Sequence, residues 1–105
     1  MAKKHRMTKA CDITRDTKLS VFLRDNGRCV YCGSNQGIPN AHFIPRSHGG
    51  LGTEQNILTL CPNCHHRFDN TEHRKEMAEF FRSYLEQQYP DWDQEKLYYK
   101  KWRQL

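Results

Sequence analysis

Cys29-Val30-Tyr31-Cys32 and Cys61-Pro62-Asn63-Cys64 are two Cys-x-x-Cys pairs with 28 residues between them. Two residues between thiolates let one stretch of chain grip an ion twice, and a second such pair completes a tetrahedral four-cysteine set of the kind that holds structural zinc. A redox dithiol needs one pair, and its chemistry gives no reason for the other. Four thiolates fill a tetrahedral ion, so this zinc is expected to build the fold and to do no chemistry. Cys11 is left over as a plain thiol near the N-terminus.

The size of the chain explains why such a staple is needed. With 105 residues and 36% hydrophobic content, one small domain has little apolar area to bury and commonly recruits a metal or disulfides. No apolar stretch follows Met1-Ala2-Lys3-Lys4-His5-Arg6, and nowhere do roughly 18 apolar residues run together. The reading is a soluble, cytoplasmic protein in a compartment that keeps thiols reduced, which favours a metal over disulfides.

Outward from the cysteines, local signals give an α+β order. Thr14 to Asn26 reads as a helix with Leu19, Phe22 and Leu23 on one face and Gly27 as its left-handed cap. Short strands are expected at Asn40 to Ile44 and at Ile57-Leu58-Thr59-Leu60, on either side of the Gly49-Gly50-Leu51-Gly52 turn. Pro62 then opens a helix at its tolerated first position. Beyond Asn70 and Thr71, which offer an N-cap, Met77, Phe80, Phe81, Tyr84, Leu85 and Tyr89 form a helical stripe that Pro90 ends. Asp91 or Asp93 can cap a last helix carrying Leu97, Tyr98, Trp102 and Leu105. The expected organisation is a basic arm over 1–13 and one domain over 14–105, with a ββα core at about 28–70 and C-terminal helices at about 71–105.

The net charge of +5 is unevenly placed: residues 1–28 carry eight Lys or Arg against three Asp, and the remainder has nine of each sign. A basic arm with Lys3, Lys4, Arg6 and Lys9 suits a polyanion, since each phosphate it neutralises releases a condensed counterion. A solvated tail is the alternative that charge alone leaves open.

Between the knuckles the chain offers the parts for phosphodiester hydrolysis, which needs a base for water, a divalent ion and donors that neutralise the phosphate. His42 sits on the first expected strand beside the turn that carries Arg46, and histidine is the natural base near neutral pH. His65 follows Cys64 on a helix and is therefore turned about 100° from the zinc thiolate. Asp69, four residues on, shares its face and completes a partial site for Mg²⁺ or Mn²⁺, with Ni²⁺ or Zn²⁺ as further possibilities.

The segment Asn40-Ala41-His42-Phe43-Ile44-Pro45-Arg46-Ser47-His48-Gly49-Gly50, followed by Asn56 and by Cys61-Pro62-Asn63-Cys64-His65-His66-Arg67-Phe68-Asp69, resembles the HNH endonucleases. That family's form is H-x-x-P-x-S-x-G-G, an Asn some fifteen residues on, and C-x-x-C-H-x-x-x-H. The resemblance spans roughly residues 28 to 70 and makes His42, Asn56 and His65 the three named positions. It implies a small ββα-metal fold and metal-dependent cleavage of DNA to a 5′-phosphate and a 3′-hydroxyl. In it His42 is the general base, Asn56 orients the His42 ring and His65 is a metal ligand, to which the residue reading adds Asp69 as the second ligand and Arg46 as a phosphate contact.

Two positions depart from the pattern. Ala41 stands where the family often has a metal ligand, leaving His48, His66 and His73 as candidate replacements, and Asp69 stands where His is common. The resemblance also implies a phage setting with packaging proteins as partners. The rival reading is a catalytically inactive zinc-stapled DNA-binding module, and a purely structural zinc adaptor would not need His42, Asn56 and His65 at this spacing.

Overall fold

In the computed structural model, which describes residues 6–100, four α-helices surround a two-stranded antiparallel sheet. The order is α1 (Arg6–Cys11), α2 (Arg15–Arg24), β1 (Ile38–His42), β2 (Ile57–Leu60), α3 (Pro62–Asn70) and α4 (Arg74–Gln88). Short 3-10 turns lie at Arg46–His48, Glu54–Asn56 and Gln94–Leu97. The ββα unit expected at about 28–70 is therefore present. Lys3, Lys4, Trp102 and Leu105 lie outside the described residues.

β1 pairs with β2 through Ile38 opposite Leu60, Ala41 opposite Leu58 and His42 opposite Ile57. Three steps on β1 match two on β2, so β1 carries a bulge between Ile38 and Ala41. Pro39 falls inside it, and a residue without an N–H cannot donate to the ladder. The bulge leaves Ala41 fully buried, with Asn40 and His42 on the outer side. β1 begins and ends two residues earlier than the sequence led us to expect. At Phe43 and Ile44 the partner is Asn56: its carbonyl accepts from Phe43 N (2.8 Å), and its Oδ1 accepts from Ile44 N (2.7 Å).

The core gathers Ala41, Phe43, Ile44, Leu58 and Leu60 from the strand region, Phe68 from α3, and Met77, Phe81 and Leu85 from α4, with Cys29, Cys61 and Cys64 in the same cluster. The zinc knuckles are thus continuous with the apolar core. Val30 N donates to Thr59 O (2.9 Å), which ties the first knuckle to β2. The α4 stripe is buried at Met77, Phe81 and Leu85, while Phe80 remains 47% exposed. This helix starts at Arg74 with His73 as its N-cap, later than an Asn70 or Thr71 cap would have it, because α3 runs on through Asn70.

Two expectations about α2 need correction. Leu19, Phe22 and Leu23 do not face the core: Leu19 and Leu23 are 58% and 66% exposed, and Val21 is the buried residue. The reason is electrostatic. The α2 end lays Arg24 and Asp25 across β2, where the guanidinium meets Asp25 at 2.7 and 2.9 Å and donates to Glu54 O, Ile57 O and Tyr89 Oη. Asp25 accepts in turn from Thr59 N and from the Tyr84 hydroxyl. The helix ends in a Schellman motif in which Gly27 N donates to Phe22 O and Asn26 N to Leu23 O. Its left-handed C′ residue is Asn26 (φ 57°), with Gly27 following at φ 66°.

Arg24 therefore neutralises a carboxylate whose side chain is wholly out of water. Arg24→Met is expected to cost about 3–5 kcal/mol by leaving that charge unpaired. Urea denaturation of the variant reads this directly, and a loss under about 1 kcal/mol would assign the pair to the surface class.

The arm boundary at residue 13 also changes. α1 is packed onto the domain: Cys11 is buried, and Gly52 N donates to Ala10 O (3.0 Å). A Cβ on Gly52 would come within 2.0 Å of Asp12 O, so the corner after α1 lies directly against the loop. Near the other end, the expected last helix is a single 3-10 turn, capped by Asp93 as the sequence allows. There the backbone turns to the loop, with Leu51 N donating to Leu97 O and Tyr99 N to Gly49 O.

Candidate active site and metal centre

The Sγ atoms of Cys29, Cys32, Cys61 and Cys64 all lie within 4.8 Å of one another. The Cys32 and Cys61 sulfurs are 3.7 Å apart, against about 3.8 Å for two thiolates bound tetrahedrally at 2.3 Å. Cys32 N and Cys64 N point at the sulfurs of Cys29 and Cys61 (3.5 and 3.4 Å), donors that steady thiolate charge. Burial raises the Cys29 thiol, but backbone N–H groups outweigh it and bring the thiol down to about 7. Burial and the neighbouring thiols push Cys64 well up. Four thiols this close ionise together only around a cation, so the donor set fits a structural zinc.

On the outer side of β1 a cleft of about 630 Å³ is lined by Asn40, His42, Pro45, Arg46, Ser47, His48, His65, Asp69 and Arg74. It brings together His42, His65, Asp69 and Arg46, each expected from the sequence to act. His42 comes from β1, His65 and Asp69 from one face of α3, and Arg46 from the turn after Pro45.

His42 is held by backbone. Its Nε2 lies 2.9 Å from Cys11 O. A carbonyl can only accept, so Nε2 carries the proton and Nδ1 keeps the lone pair. Burial lowers the His42 pKa below the ordinary histidine value, and the Arg46 charge adds to that effect, while the Cys11 carbonyl opposes it. The ring is therefore neutral at pH 7, the state a general base requires.

His65 Nε2 and Asp69 Oδ2 are 3.0 Å apart. That is an ordinary hydrogen-bond distance between i and i+4 on one helix face, and two ligand atoms this close could share a cation. Asp69 occupies the last turn of α3. A helix C-terminus is an unfavourable place for a carboxylate alone and a favourable one for a cation. Among the described residues, the cysteines are the grouping of three or more His, Cys, Asp or Glu ligand atoms within 4.8 Å. His65 and Asp69 are thus the close pair of cleft side chains that could hold a cation.

Arg46 donates to Cys11 O (3.0 Å) and pairs with Asp12 at 2.7 Å, with its side chain about half exposed. Cys11 O thus accepts from both His42 and Arg46, which couples the corner after α1 to the cleft.

The HNH endonuclease pattern matches residues 29–71. The type IV methyl-directed restriction enzyme EcoKMcrA of Escherichia coli (strain K12) is 35% identical over 71 residues, covering 59% of this chain and 26% of that protein. Anaredoxin of Nostoc sp. (strain PCC 7120) is 35% identical over 67 residues, covering 63% of this chain and 88% of that protein.

The chain belongs to the HNH endonuclease family. Membership supports a nuclease function in general terms. The chain spans about a quarter of the length of the restriction enzyme.

Of the HNH positions, His42 and His65 line the cleft, but Asn56 does not orient the His42 ring. Asn56 is completely buried, and its Nδ2 donates to Leu51 O (2.8 Å) and Ile44 O (3.2 Å) while Oδ1 takes Ile44 N. It closes the loop between the strands, and the ring is held from α1 instead. Ala41 faces the core, so the cleft-facing residue of β1 beside His42 is Asn40, two positions before it.

Of the three histidines considered as replacements, His48 lines the cleft. His66 lines the adjoining groove beside Asn70, and His73 lies against Glu72. Asn40 was legible from the two-residue period of a strand. Arg74 and the Cys11 carbonyl gave no sequence signal, because tertiary packing alone brings them in.

Proposed function

We propose that the protein is a metal-dependent endonuclease that hydrolyses DNA phosphodiester bonds, with His42 as general base. The observation that carries this reading is the convergence of a neutral, backbone-anchored His42 with the His65/Asp69 pair in one cleft. His65 and Asp69 would hold a divalent ion, Mg²⁺ or Mn²⁺ by the hardness of the carboxylate. When bound, that ion supplies positive charge to the phosphate and to the departing oxygen.

The residues of the chain do the rest. His42 Nδ1 takes a proton from water as its oxygen bonds to phosphorus, and Nε2–H on Cys11 O keeps the ring from turning. The bond from phosphorus to the 3′-oxygen breaks, and the proton passes to that oxygen, giving a 5′-phosphate and a 3′-hydroxyl. Arg46 exchanges its Asp12 partner for a phosphate oxygen, a charge-assisted contact of comparable strength. Lys3, Lys4, Arg6 and Lys9 extend the basic track along the strand, with Lys9 on the α1 segment that anchors the base.

The test is plasmid nicking by zinc-loaded protein freed of loosely held ions, with Mg²⁺, Mn²⁺, Ni²⁺, Zn²⁺ and Ca²⁺ added separately. Nicking is expected with Mg²⁺ or Mn²⁺, with 5′-phosphate ends. The burial of Ala41 in the core, which removes one common ligand position, favours the alternative of a DNA-binding module without turnover. Salt-dependent DNA binding with no cleavage under any ion would establish that alternative.

A further inference from the structure

We infer that Arg74 is a positioning residue that fixes the His42 base relative to the Asp69 carboxylate, an inference resting on the nuclease reading above. Arg74 opens α4, outside the residues matched by the family pattern. Its Nη2 donates to Phe43 O (3.2 Å), the carbonyl of the residue that follows His42. Its Nη1 donates to Phe68 O (3.1 Å), the carbonyl immediately before Asp69, and lies 3.6 Å from Asp69 Oδ1. One planar fork therefore joins the exit of β1 to the end of α3, at the peptide group one residue past the proposed base and at the one that leads into the proposed ligand.

The plane of the fork is itself fixed. The guanidinium carbon lies 4.2 Å from the centroid of the Phe68 ring, and Phe68 is wholly buried. A guanidinium packed over a buried ring and bonded to two carbonyls has little freedom to move, so the two carbonyls are held at a set separation. The ion pair also engages Asp69 Oδ1 while Oδ2 faces His65. Such outer contacts on a ligand carboxylate fix its orientation toward a cation.

Arg74 also lines the cleft, so a direct phosphate contact is the competing role. Lysine separates the two. It keeps a positive charge within reach of a phosphate, but it has no planar fork to bridge two carbonyls.

The experiment compares wild type with Arg74→Lys in zinc-loaded, full-length protein. Positioning predicts that DNA affinity and its salt slope in Ca²⁺ stay at wild-type values, while turnover at saturating Mn²⁺ falls about 10²-fold, the usual consequence of displacing a reacting group by about 1 Å. A second readout needs no turnover: paramagnetic broadening of the His42 ring signal by Mn²⁺ at His65/Asp69 weakens in the variant as base and ion separate.

Wild-type turnover together with unchanged broadening in Arg74→Lys would overturn the inference. So would an Arg74→Gln variant whose salt slope drops by about 0.9, the mark of one lost phosphate contact, with unchanged broadening. If wild type cleaves under no ion, the nuclease reading fails on its own, and the broadening comparison still decides whether Arg74 sets the spacing.

Discussion

Removing the structural zinc unfolds the domain. Cys29, Cys61 and Cys64 are buried members of the same cluster as Phe68, Phe81 and Leu60, so the ion's ligands and the apolar core form one body. Free energies of about 10–16 kcal/mol for structural zinc in finger-type peptides equal or exceed the whole stability of a typical small domain, about 5–15 kcal/mol. Without the ion, Cys64 returns to a buried thiol crowded by three others, and the knuckle N–H groups lose the charge they face. We expect chelation to abolish the helical circular dichroism signal and Cys61→Ser to yield little folded protein. Folded protein that elemental analysis shows to be zinc-free would refute this.

The parts of the fold that could be read from sequence are those with a strong local cause. The doubled Cys-x-x-Cys, the β-branched run Ile57–Leu60, Pro62 at the head of α3 and Pro90 after α4 each act through their own chemistry, and each sits where expected. The failures arise where tertiary contacts choose between local options. The spacing of Leu19, Phe22 and Leu23 fits a buried face equally well, but the Arg24–Asp25 network rotates α2 so that Val21 is covered instead. Leu97 and Tyr98 could have continued a helix, but their backbone meets the loop at Gly50 and Leu51. Periodicity reports that a face exists and is silent about what it meets.

The site divides along the same line. That His42, His65 and Asp69 line one cleft follows from directions set by spacing within one strand or one helix, and Arg46 joins them from the turn after Pro45. Asn56 was expected to hold the His42 ring, and its side chain bonds the loop backbone. A sequence cannot distinguish a side chain that holds a ring from one that holds the backbone of the adjoining loop, and here three hydrogen bonds go to Ile44 and Leu51. The anchor of the His42 ring is a carbonyl, present at every residue, so its identity as Cys11 depends wholly on how α1 docks.

His42→Ala is expected to reduce cleavage by about 10²- to 10⁴-fold, the usual worth of a general base, while zinc content and DNA affinity stay close to wild type. The variant removes a group proposed to act on water in the transition state, so ground-state binding has little to lose. The cost in fold should be limited, because Ala41 and Phe43, not His42, supply the core contacts of this stretch.

The pH dependence follows from the same ring. Burial, with the Arg46 charge beside it, lowers the His42 pKa, and a divalent ion in the cleft acts in the same direction. The neutral, active form therefore persists as pH falls past the ordinary histidine value, and the acid limb of kcat should lie below about 6.5. In His42→Ala that limb disappears from whatever rate remains. His65→Ala should also stop cleavage, but through loss of the ion, so raising Mn²⁺ restores part of its activity and none of the activity lost in His42→Ala. Wild-type rates in His42→Ala would move the base to His48, which shares the cleft. A defect in His42→Ala that excess Mn²⁺ relieves would make His42 a metal ligand, since a missing base cannot be replaced by adding ions.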